Sequence, residues 1–381
     1  MKLLYLIKSL AAKAGTERVM SDKMNWLASR GYEIILVTYE QGTHPFAFKL
    51  DGAIKHYDLD TRFFQLSRLP LVKKCIIAFN KRRHFEDRLL TVINNEKPDL
   101  LIATTYSGLL LGSVLKVCSN IPKLLESHAI CENHWKSKEY GNEGMISYLW
   151  KLYDIFFLKS IRAFDELVTL TSADANDWSQ YVRNIKVIPN PISYIPKSIC
   201  NNCNSNRIIC VGRLEKEKGF DLLVEAFSII ALECPNWHVD IYGEGGEEVF
   251  LRKMIAYKKL SDRILIHKPV DHIFDEYLNS DIFVLSSRNE GFGLVLLEAM
   301  VCGLPCVSFN CPYGPGEIVT DGYNGILVKN GDVIDMADKI LWMIDHPEER
   351  LNIGKMARKS IKRFCEDAVM QEWVSLFDSL L

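Results

Sequence analysis

The sequence predicts an α/β protein made of two doubly wound domains in tandem. Short apolar runs alternate with longer amphipathic runs, which is typical of parallel strands covered by helices on both faces. The alternation occurs twice, before and after a segment at 189–206 that is rich in Pro and Asn, as a linker would be. The 381 residues suffice for two domains, which we place at 1–195 and 196–364.

The elements of the first domain follow from the period of the apolar residues. Strand-like runs are short and apolar throughout, as expected for strands that are buried on both faces, and helical runs have apolar residues three and four apart. The predicted strands are 2–7, 33–38, 99–104, 123–126 and 166–171. The predicted helices are 16–30, 67–94 and 146–163.

The second domain has the same alternation with shorter connections. We predict strands at 207–211, 237–242, 264–267, 281–286, 305–309 and 325–328. We predict helices at 219–233, 247–259 and 290–302, and further helices from about 332 to the last residue. In open parallel sheets ligands bind beyond the carboxyl ends of the strands, so the candidate site lies in the segments that follow them.

The charge of −2 conceals an asymmetry between the two halves. Residues 1–195 have a net charge of +6, and residues 196–381 have a net charge of −8. Nothing in this balance indicates nucleic-acid binding. The basic half could face an anionic membrane surface, or its charge could serve solubility alone. With 48% hydrophobic and 25% charged residues, the chain is not a largely disordered one.

The cysteines and the longest apolar stretches indicate the compartment. The 11 cysteines are scattered and odd in number, which favours reduced cytosolic thiols over a disulfide framework. Cys200 and Cys203 have the spacing of half a zinc site, but no second pair follows, so we expect no metal. Lys8 interrupts the first apolar run, and the uncharged stretch at 100–115 is too short to span a bilayer. We expect a cytoplasmic protein, soluble or peripheral.

The first candidate motif is GRLEKEKG, which follows the predicted strand at 207–211 and opens a helix. Glycines permit a close backbone approach, and a helix N-terminus attracts anions. Arg213 offers a fork of donors and Lys218 a point charge. The pattern predicts a pyrophosphate clamp. A solvated charged turn is the alternative.

The second candidate motif is EGFGLVLLE, in which Glu290 and Glu298 stand eight residues apart. Glu298 lies in an apolar helical run, and a buried carboxylate requires hydrogen-bond partners, which sugar hydroxyls could provide. The backbone N–H groups of Gly293 and Leu294 could hold a phosphate. The alternative is that both glutamates are helix-capping or surface residues.

Two weaker signals occur in the first domain. Gly15 lies in a turn at a predicted helix start, without the spacing of a dinucleotide fingerprint. His128 follows the strand at 123–126 and should lie at the carboxyl edge of the sheet. A lone histidine is commonly structural or exposed, so both interpretations stay open.

Together these motifs resemble the retaining glycosyltransferases of family 4, which have the GT-B fold. The sequences GRLEKEKG, YGEG, EGFGLVLLE, PYGPGE and DGYNGILV occur in the order of that family, with EGFGLVLLE as its E-x7-E motif. The likeness is strong over about 205–330 and weaker over 1–200. It implies two Rossmann-like domains facing across a cleft. The acceptor would bind to 1–195 and the nucleotide sugar to 196–364, with the helix at 365–381 closing the first domain.

The resemblance also implies a role for each candidate residue. Glu290 and His128 would act on the transferred sugar as catalytic residues, with His128 near its C6 hydroxyl. The donor-binding residues would be Gly15, Arg213 and Lys218 at the diphosphate, Glu298 at the ribose, and the backbone of Phe292, Gly293 and Leu294. Ala14 is a departure, since many members have a glycine there.

The activity implied is retaining transfer of a hexosyl or N-acetylhexosaminyl group from a UDP-sugar to a glycan acceptor. The acceptor would be polyprenyl-diphosphate-linked, in bacterial surface polysaccharide synthesis, and neither a cofactor nor a metal would be needed. Basic residues are interspersed with apolar and aromatic ones at 68–83 and 150–162, a pattern that could lie on an anionic membrane at the inner face of the plasma membrane. The alternative is that the aromatic residues belong to the core and the cations to its rim. The alternatives are a GT-B nucleotide-sugar epimerase or hydrolase, a phosphorylase, and a non-catalytic sugar-binding subunit.

Overall fold

A computed structural model describes residues 1–68, 70–135, 145–199 and 205–381. The chain divides into two units, Met1–Pro189 with Val369–Leu381, and Asn190–Ala368. The sequence had placed the corresponding boundaries at 195/196 and 364/365. Cys200 and Cys203 lie outside the described residues. No helix in the described part of the chain combines the length and apolar character needed to cross a bilayer.

The first unit contains a seven-stranded sheet in which every pair of neighbouring strands is parallel. The order is β3-β2-β1-β4-β5-β6-β7. The strands are β1 (Lys2–Ile7), β2 (Glu33–Thr38), β3 (Lys55–Asp58), β4 (Leu100–Thr104), β5 (Lys123–Glu126), β6 (Glu166–Thr169) and β7 (Ile185–Val187). The five predicted strands are confirmed. The two edge strands β3 and β7 were not predicted, because KHYD and IKV are short, partly exposed and lack an apolar run.

Helices cover both faces of this sheet. They are α1 (Gly15–Ser29), α2 (Leu71–Glu96), α3 (Leu111–Val117), α4 (Met145–Ile161) and α5 (Ser172–Ser179). The helix predicted from residue 67 begins at Leu71, because Pro70 precedes it and the segment Phe63–Arg68 is a separate 3₁₀ turn. Helices α3 and α5 were missed. They are short and lack a long amphipathic pattern.

The second unit contains a six-stranded parallel sheet of order β10-β9-β8-β11-β12-β13. Its strands are β8 (Arg207–Val211), β9 (His238–Tyr242), β10 (Ile264–His267), β11 (Ile282–Leu285), β12 (Cys306–Asn310) and β13 (Ile326–Lys329). Its helices are α6 (Phe220–Ile230), α7 (Glu248–Tyr257), α8 (Ile273–Leu278), α9 (Leu294–Val301), α10 (Pro315–Ile318), α11 (Val333–Asp345) and α12 (Pro347–Ser360). All six predicted strands are confirmed, so two doubly wound α/β units are present as the sequence predicts.

One predicted helix is wrong at its start. The sequence predicted a helix over 290–302, but α9 begins at Leu294. Gly293, at the N-cap, has a φ of +95°, a left-handed conformation that glycine adopts without strain but that an α-helix cannot contain. Residues 290–293 therefore form a loop, and Glu290 lies before the helix rather than in it.

The last helix, α13 (Glu366–Leu380), returns to the first unit through its residues from Val369 onward. Its apolar side chains Val369, Met370, Trp373, Leu376 and Phe377 are buried in one cluster with residues of β1 and α1. The resemblance implied a return of this kind for the helix at 365–381. Burial of one apolar face holds the helix there, since buried apolar area is the main favourable contribution to packing.

Candidate functional site

The best-defined group of polar side chains lies beyond β8 and β11, at the carboxyl edge of the second sheet. Lys218 Nζ donates a hydrogen bond of 2.7 Å to Glu290 Oε1, and Ser287 Oγ donates one of 2.6 Å to the same oxygen. Glu290 is only 7% exposed. A buried carboxylate is stable only where cations or hydrogen bonds compensate its desolvation, and these two donors supply that compensation. Neither of the two donors uses Oε2.

Lys218 reaches Glu290 because two neighbouring strands of a parallel sheet end at the same edge. It closes the 3₁₀ turn Lys216–Lys218, which follows β8, and Gly219 continues the chain in a left-handed conformation into α6. A Cβ at Gly219 would lie 2.0 Å from the carbonyl oxygen of Ser286, so only glycine fits. Lys218, expected at the diphosphate, is thus found on Glu290. Two of its three N–H donors remain for a phosphate.

Arg213 is not part of this group. Its guanidinium is 68% exposed and pairs with Glu217 Oε1 at 2.8 Å. An exposed pair of this kind contributes little to stability, so Arg213 can exchange its partner at low cost. The sequence placed Arg213 and Lys218 at one ligand group. In the structure each has an acidic partner of its own, Glu217 for Arg213 and Glu290 for Lys218.

The backbone of the turn YGEG packs directly against the backbone of the turn GRLE. A Cβ at Gly243 would lie 1.9 Å from the carbonyl oxygen of Gly212, and one at Gly245 would lie 2.5 Å from that of Leu214. Leu214 N also donates to the carbonyl of Glu244. The glycines of this motif are therefore explained by backbone packing that positions the strand-to-helix turn after β8.

The loop at 290–293 is held from the other side by the segment PYGPGE. The backbones of Glu290 and Tyr313 pair in an isolated parallel β-bridge. A Cβ at Gly314 would lie 2.1 Å from the carbonyl oxygen of Phe292. Tyr313 has a φ of +80°, which is uncommon for a residue with a side chain. Phe292 is buried, and Gly293 and Leu294 form the start of α9. The backbone groups predicted for sugar and phosphate thus lie in a firmly packed loop.

Glu298 lies on α9 and is buried, at 8% exposed. Tyr277 Oη, on α8, donates to Glu298 Oε2 at 3.2 Å. Burial, and then the nearby Glu298 carboxylate, raise the pKa of Tyr277 far above its ordinary value, so the phenol stays a donor. The alternative that Glu298 is a surface residue is excluded. Tyr277 and Ser287 are site residues that sequence reasoning missed, because each is an isolated polar residue outside any motif.

The first unit holds the other two predicted residues. Gly15 is the first residue of α1, and Ala14 is its N-cap. His128 lies two residues beyond β5, and its Nε2 is 3.2 Å from Glu126 Oε2. Burial raises the pKa of Glu17, in the first turn of α1, and the charge of His128 opposes this rise. The start of α1 and His128 therefore lie near each other at the carboxyl edge of the first sheet.

Among the described residues, no three His, Cys, Asp or Glu side chains are grouped so that they could hold a metal ion. Glu290, for example, is paired with Lys218.

Comparison with known proteins identifies the family. The model for glycosyltransferase family 4 matches residues 14–194, and the model for glycosyl transferases group 1 matches residues 195–360. An uncharacterized glycosyltransferase of Haemophilus influenzae is 27% identical over 375 residues, with 98% of each chain covered. The poly(ribitol-phosphate) alpha-N-acetylglucosaminyltransferase of Staphylococcus aureus is 28% identical, over 81% of this chain and 62% of that relative.

Among solved structures, Anabaena HepE in complex with UDP-glucose is similar with a TM-score of 0.73, 18% identity and full coverage of both chains. This likeness establishes the GT-B fold, as the two parallel sheets do. The two family models are adjacent and together match residues 14–360, so the chain belongs to the glycosyltransferases of family 4.

Proposed function

We propose that the chain transfers a hexosyl or N-acetylhexosaminyl group from a UDP-sugar to a glycan acceptor, with retention of configuration and without a divalent metal. The observation that carries the proposal is the buried Glu290 carboxylate, held through one oxygen by Lys218 and Ser287. A carboxylate fixed through Oε1 can present Oε2 to sugar hydroxyls, which donate strong hydrogen bonds to an ionised acceptor. HepE, which was solved with UDP-glucose, supports a UDP-sugar as donor.

The nucleotide would be held by α9 and α8. Glu298, oriented by Tyr277, would accept hydrogen bonds from the ribose hydroxyls. The N-terminus of α9, at Gly293 and Leu294, would face the phosphates, since a helix N-terminus offers N–H groups and positive potential. A hydrogen bond orients the Glu298 carboxylate, and backbone packing places the start of α9, so both groups are preorganised for binding.

The leaving diphosphate gains negative charge as the bond from the sugar C1 to the phosphate oxygen breaks. Lys218 would stabilise that charge, joined by Arg213 once its exposed pair with Glu217 opens. Attack occurs on the same face, so the new bond to the acceptor oxygen forms there and the acceptor proton passes to the leaving phosphate oxygen. Cations of the protein thus supply what a metal ion would otherwise supply.

His128 and Gly15, in the first unit, are the other two residues that we propose act on the donor. We assign His128 to a hydroxyl of the transferred sugar and Gly15 to the diphosphate, where the start of α1 supplies N–H groups. The buried imidazole of His128 can exchange a hydrogen bond with a hydroxyl in either direction, depending on its tautomer.

The acceptor would be a lipid-linked glycan presented at an anionic membrane surface. A pocket of about 380 Å³ with an almost wholly apolar lining lies in the first unit, formed by Leu109, Leu149, Trp150, Leu152, Tyr153 and Phe156. Ile76 and Phe79 are exposed on α2, the helix that also carries Lys73, Lys74 and Arg83, and Phe156 is exposed on α4. Phe157, by contrast, is in the core. Exposed apolar residues among cations suit an anionic bilayer, at the inner face of the plasma membrane.

The test is saturation-transfer NMR of the full chain with a panel of UDP- and GDP-sugars in the presence of EDTA. We expect one UDP-hexose or UDP-N-acetylhexosamine to bind, and transfer to a lipid-linked glycan to give the retained anomer. Inversion, or binding only when a divalent metal is restored, would contradict the mechanism. Release of free sugar or a changed sugar epimer as the sole product would favour a hydrolase or an epimerase instead.

A further inference from the structure

A chain of buried charged groups lies beside His128 in the first unit. Lys23 Nζ, on α1, forms an ion pair with Oε1 of Glu126, the last residue of β5. The two side chains are 1% and 2% exposed. The other oxygen of the same carboxylate, Oε2, is 3.2 Å from Nε2 of His128. One carboxylate therefore joins a buried cation to the imidazole of a predicted catalytic residue.

The surroundings keep the Glu126 carboxylate charged. The Lys23 ammonium lies 3.7 Å from the centre of the Trp373 ring and 5.3 Å from that of Tyr5, and aromatic faces attract cations. Burial would raise the pKa of Glu126, but the charges of Lys23 and His128 outweigh it, and the pKa is lowered. Burial lowers the pKa of Lys23, and the carboxylate opposes that change. The carboxylate is therefore ionised at neutral pH.

A buried ion pair contributes little net stability, because the cost of desolvating two charges offsets their attraction. Apolar groups of similar volume often stabilise a protein equally well or better. The unusual feature here is that buried polar atoms next to the pair lack hydrogen-bond partners. Both ring nitrogens of His128 and Oε2 of Glu126 are buried, and within the described residues none of these three atoms has a hydrogen-bond partner. The 3.2 Å between Nε2 and Oε2 is an ion-pair distance, short enough for a proton on Nε2 to be shared with the carboxylate after a small rotation of the ring. The pair is thus placed to act on the imidazole.

We propose that Glu126 is a positioning residue, which orients the His128 ring and keeps a proton on Nε2 so that Nδ1 presents a lone pair to the sugar. Lys23 keeps the carboxylate ionised for this task. The inference rests on the proposed function, which gives His128 a sugar to contact. The other charged or titratable groups that face this assembly are Glu17 on α1 and Tyr5 on β1. Carboxylates commonly set the tautomer of a histidine in this way: the carboxylate accepts from one ring N–H, and the other nitrogen keeps a free lone pair.

The first experiment needs no substrate. Nitrogen-15 NMR of the histidine side chains in the full chain reports which ring nitrogen carries the proton. We expect the wild-type ring to be protonated on Nε2 when neutral. In Glu126→Gln the preference for Nε2 should be lost, because the carboxylate that attracts the proton to that nitrogen has been removed. An unchanged tautomer in Glu126→Gln would overturn the inference.

The second experiment separates positioning from simple structural support. Lys23→Met and Glu126→Gln each leave one buried charge unpaired and should lower the urea midpoint, whereas the double variant is neutral and should recover stability. We expect kcat to be lowered about tenfold or more in Glu126→Gln and also in the double variant, with the donor KM little changed. In a His128→Ala background, Glu126→Gln should cause no further loss of kcat.

The matched control is Lys55 and Glu96, an ion pair of the same unit at 2.9 Å with Lys55 exposed. Lys55→Met with Glu96→Gln should alter neither the His128 tautomer nor kcat. If the buried double variant recovers kcat along with stability, the pair is structural and the inference is wrong. If the NMR changes occur as expected but the wild-type chain transfers no sugar, the proposed function fails instead, so the two failures are distinguishable.

Discussion

Lys218 and Glu290 are 72 residues apart in the chain, yet their side chains are joined by a hydrogen bond of 2.7 Å. One follows β8 and the other follows β11, and these two strands are neighbours in the sheet. The pair is the centre of the proposed donor site. In this proposal the cation for the phosphate and the anion for the sugar hydroxyls already hold each other in place before the donor arrives, so little reorganisation would be needed on binding.

Replacing the sugar-binding carboxylate should abolish most of the transfer. Glu290→Gln keeps the shape but removes the charge, and hydrogen bonds to a charged group contribute about 1.5–3 kcal/mol, so we expect kcat to fall about 10- to 100-fold. Ser287→Ala removes one donor to Oε1 and should have a smaller effect in the same direction. Initial rates with saturating donor measure both. Unchanged rates in Glu290→Gln, with circular dichroism showing an intact fold, would contradict the site assignment.

Removing the cation should weaken stabilisation of the leaving diphosphate. Lys218→Met leaves Glu290 buried with only Ser287 as partner, so two losses combine. We expect kcat to fall about a hundredfold or more, by analogy with the loss of one preorganised donor to a developing charge. Arg213→Met, at an exposed position, should leave the urea midpoint unchanged while it also lowers kcat. If Arg213→Met retains full kcat, the guanidinium has no part in the transfer.

The nucleotide end of the site predicts an effect on affinity. Glu298→Gln should raise the KM for the UDP-sugar and the Kd for UDP about tenfold, because a charged acceptor for the ribose hydroxyls is lost. Tyr277→Phe removes the phenol that orients this carboxylate and should have a milder effect on the same two constants. Calorimetric titration with UDP measures them without turnover. UDP affinity equal to that of wild type in Glu298→Gln would place the ribose elsewhere.

One glycine of PYGPGE should be indispensable to the loop. In Gly314→Ala the new Cβ would meet the carbonyl oxygen of Phe292 at 2.1 Å, so the loop at 290–293 must shift. We expect a loss of about 1–3 kcal/mol in unfolding free energy together with a large loss of kcat. Gly52→Ala is the matched control, because a Cβ added there would have no atom within 4 Å. Equal stability of the two variants in urea unfolding would show that the contact is unimportant.

Binding to an anionic surface should depend on the exposed apolar residues of α2. Phe79 is 69% exposed, and Ile76 on the same helix is 59% exposed. Replacing both with Ser should weaken co-sedimentation with phosphatidylglycerol vesicles about tenfold or more, since each apolar side chain contributes about 1.5–3 kcal/mol when buried. Leu232→Ser, at a residue 94% exposed in the second unit, should bind the vesicles as the wild type does. Equal loss in both variants would indicate a nonspecific effect.

Local sequence patterns were sufficient to predict the elements that are marked by apolar runs or by glycines. The central strands of both sheets, the long amphipathic helices and the glycine-rich turns were predictable, because apolar runs and glycine positions reflect burial and backbone geometry within a few residues. The short edge strands β3 and β7 were not, since their pairing depends on a neighbour far away in the chain. The start of α9 was misjudged because the left-handed Gly293 interrupts an otherwise helical pattern.

The candidate residues were predictable from motifs, but their partners depend on the tertiary structure. Lys218 contacts Glu290, Tyr277 contacts Glu298, and Lys23 contacts Glu126 only because distant segments meet at sheet edges and helix faces. No local pattern encodes such a meeting, since the energy of a buried charge depends on whichever group the fold places beside it. The motifs therefore specified which side chains take part, and the fold specified what holds each of them in place.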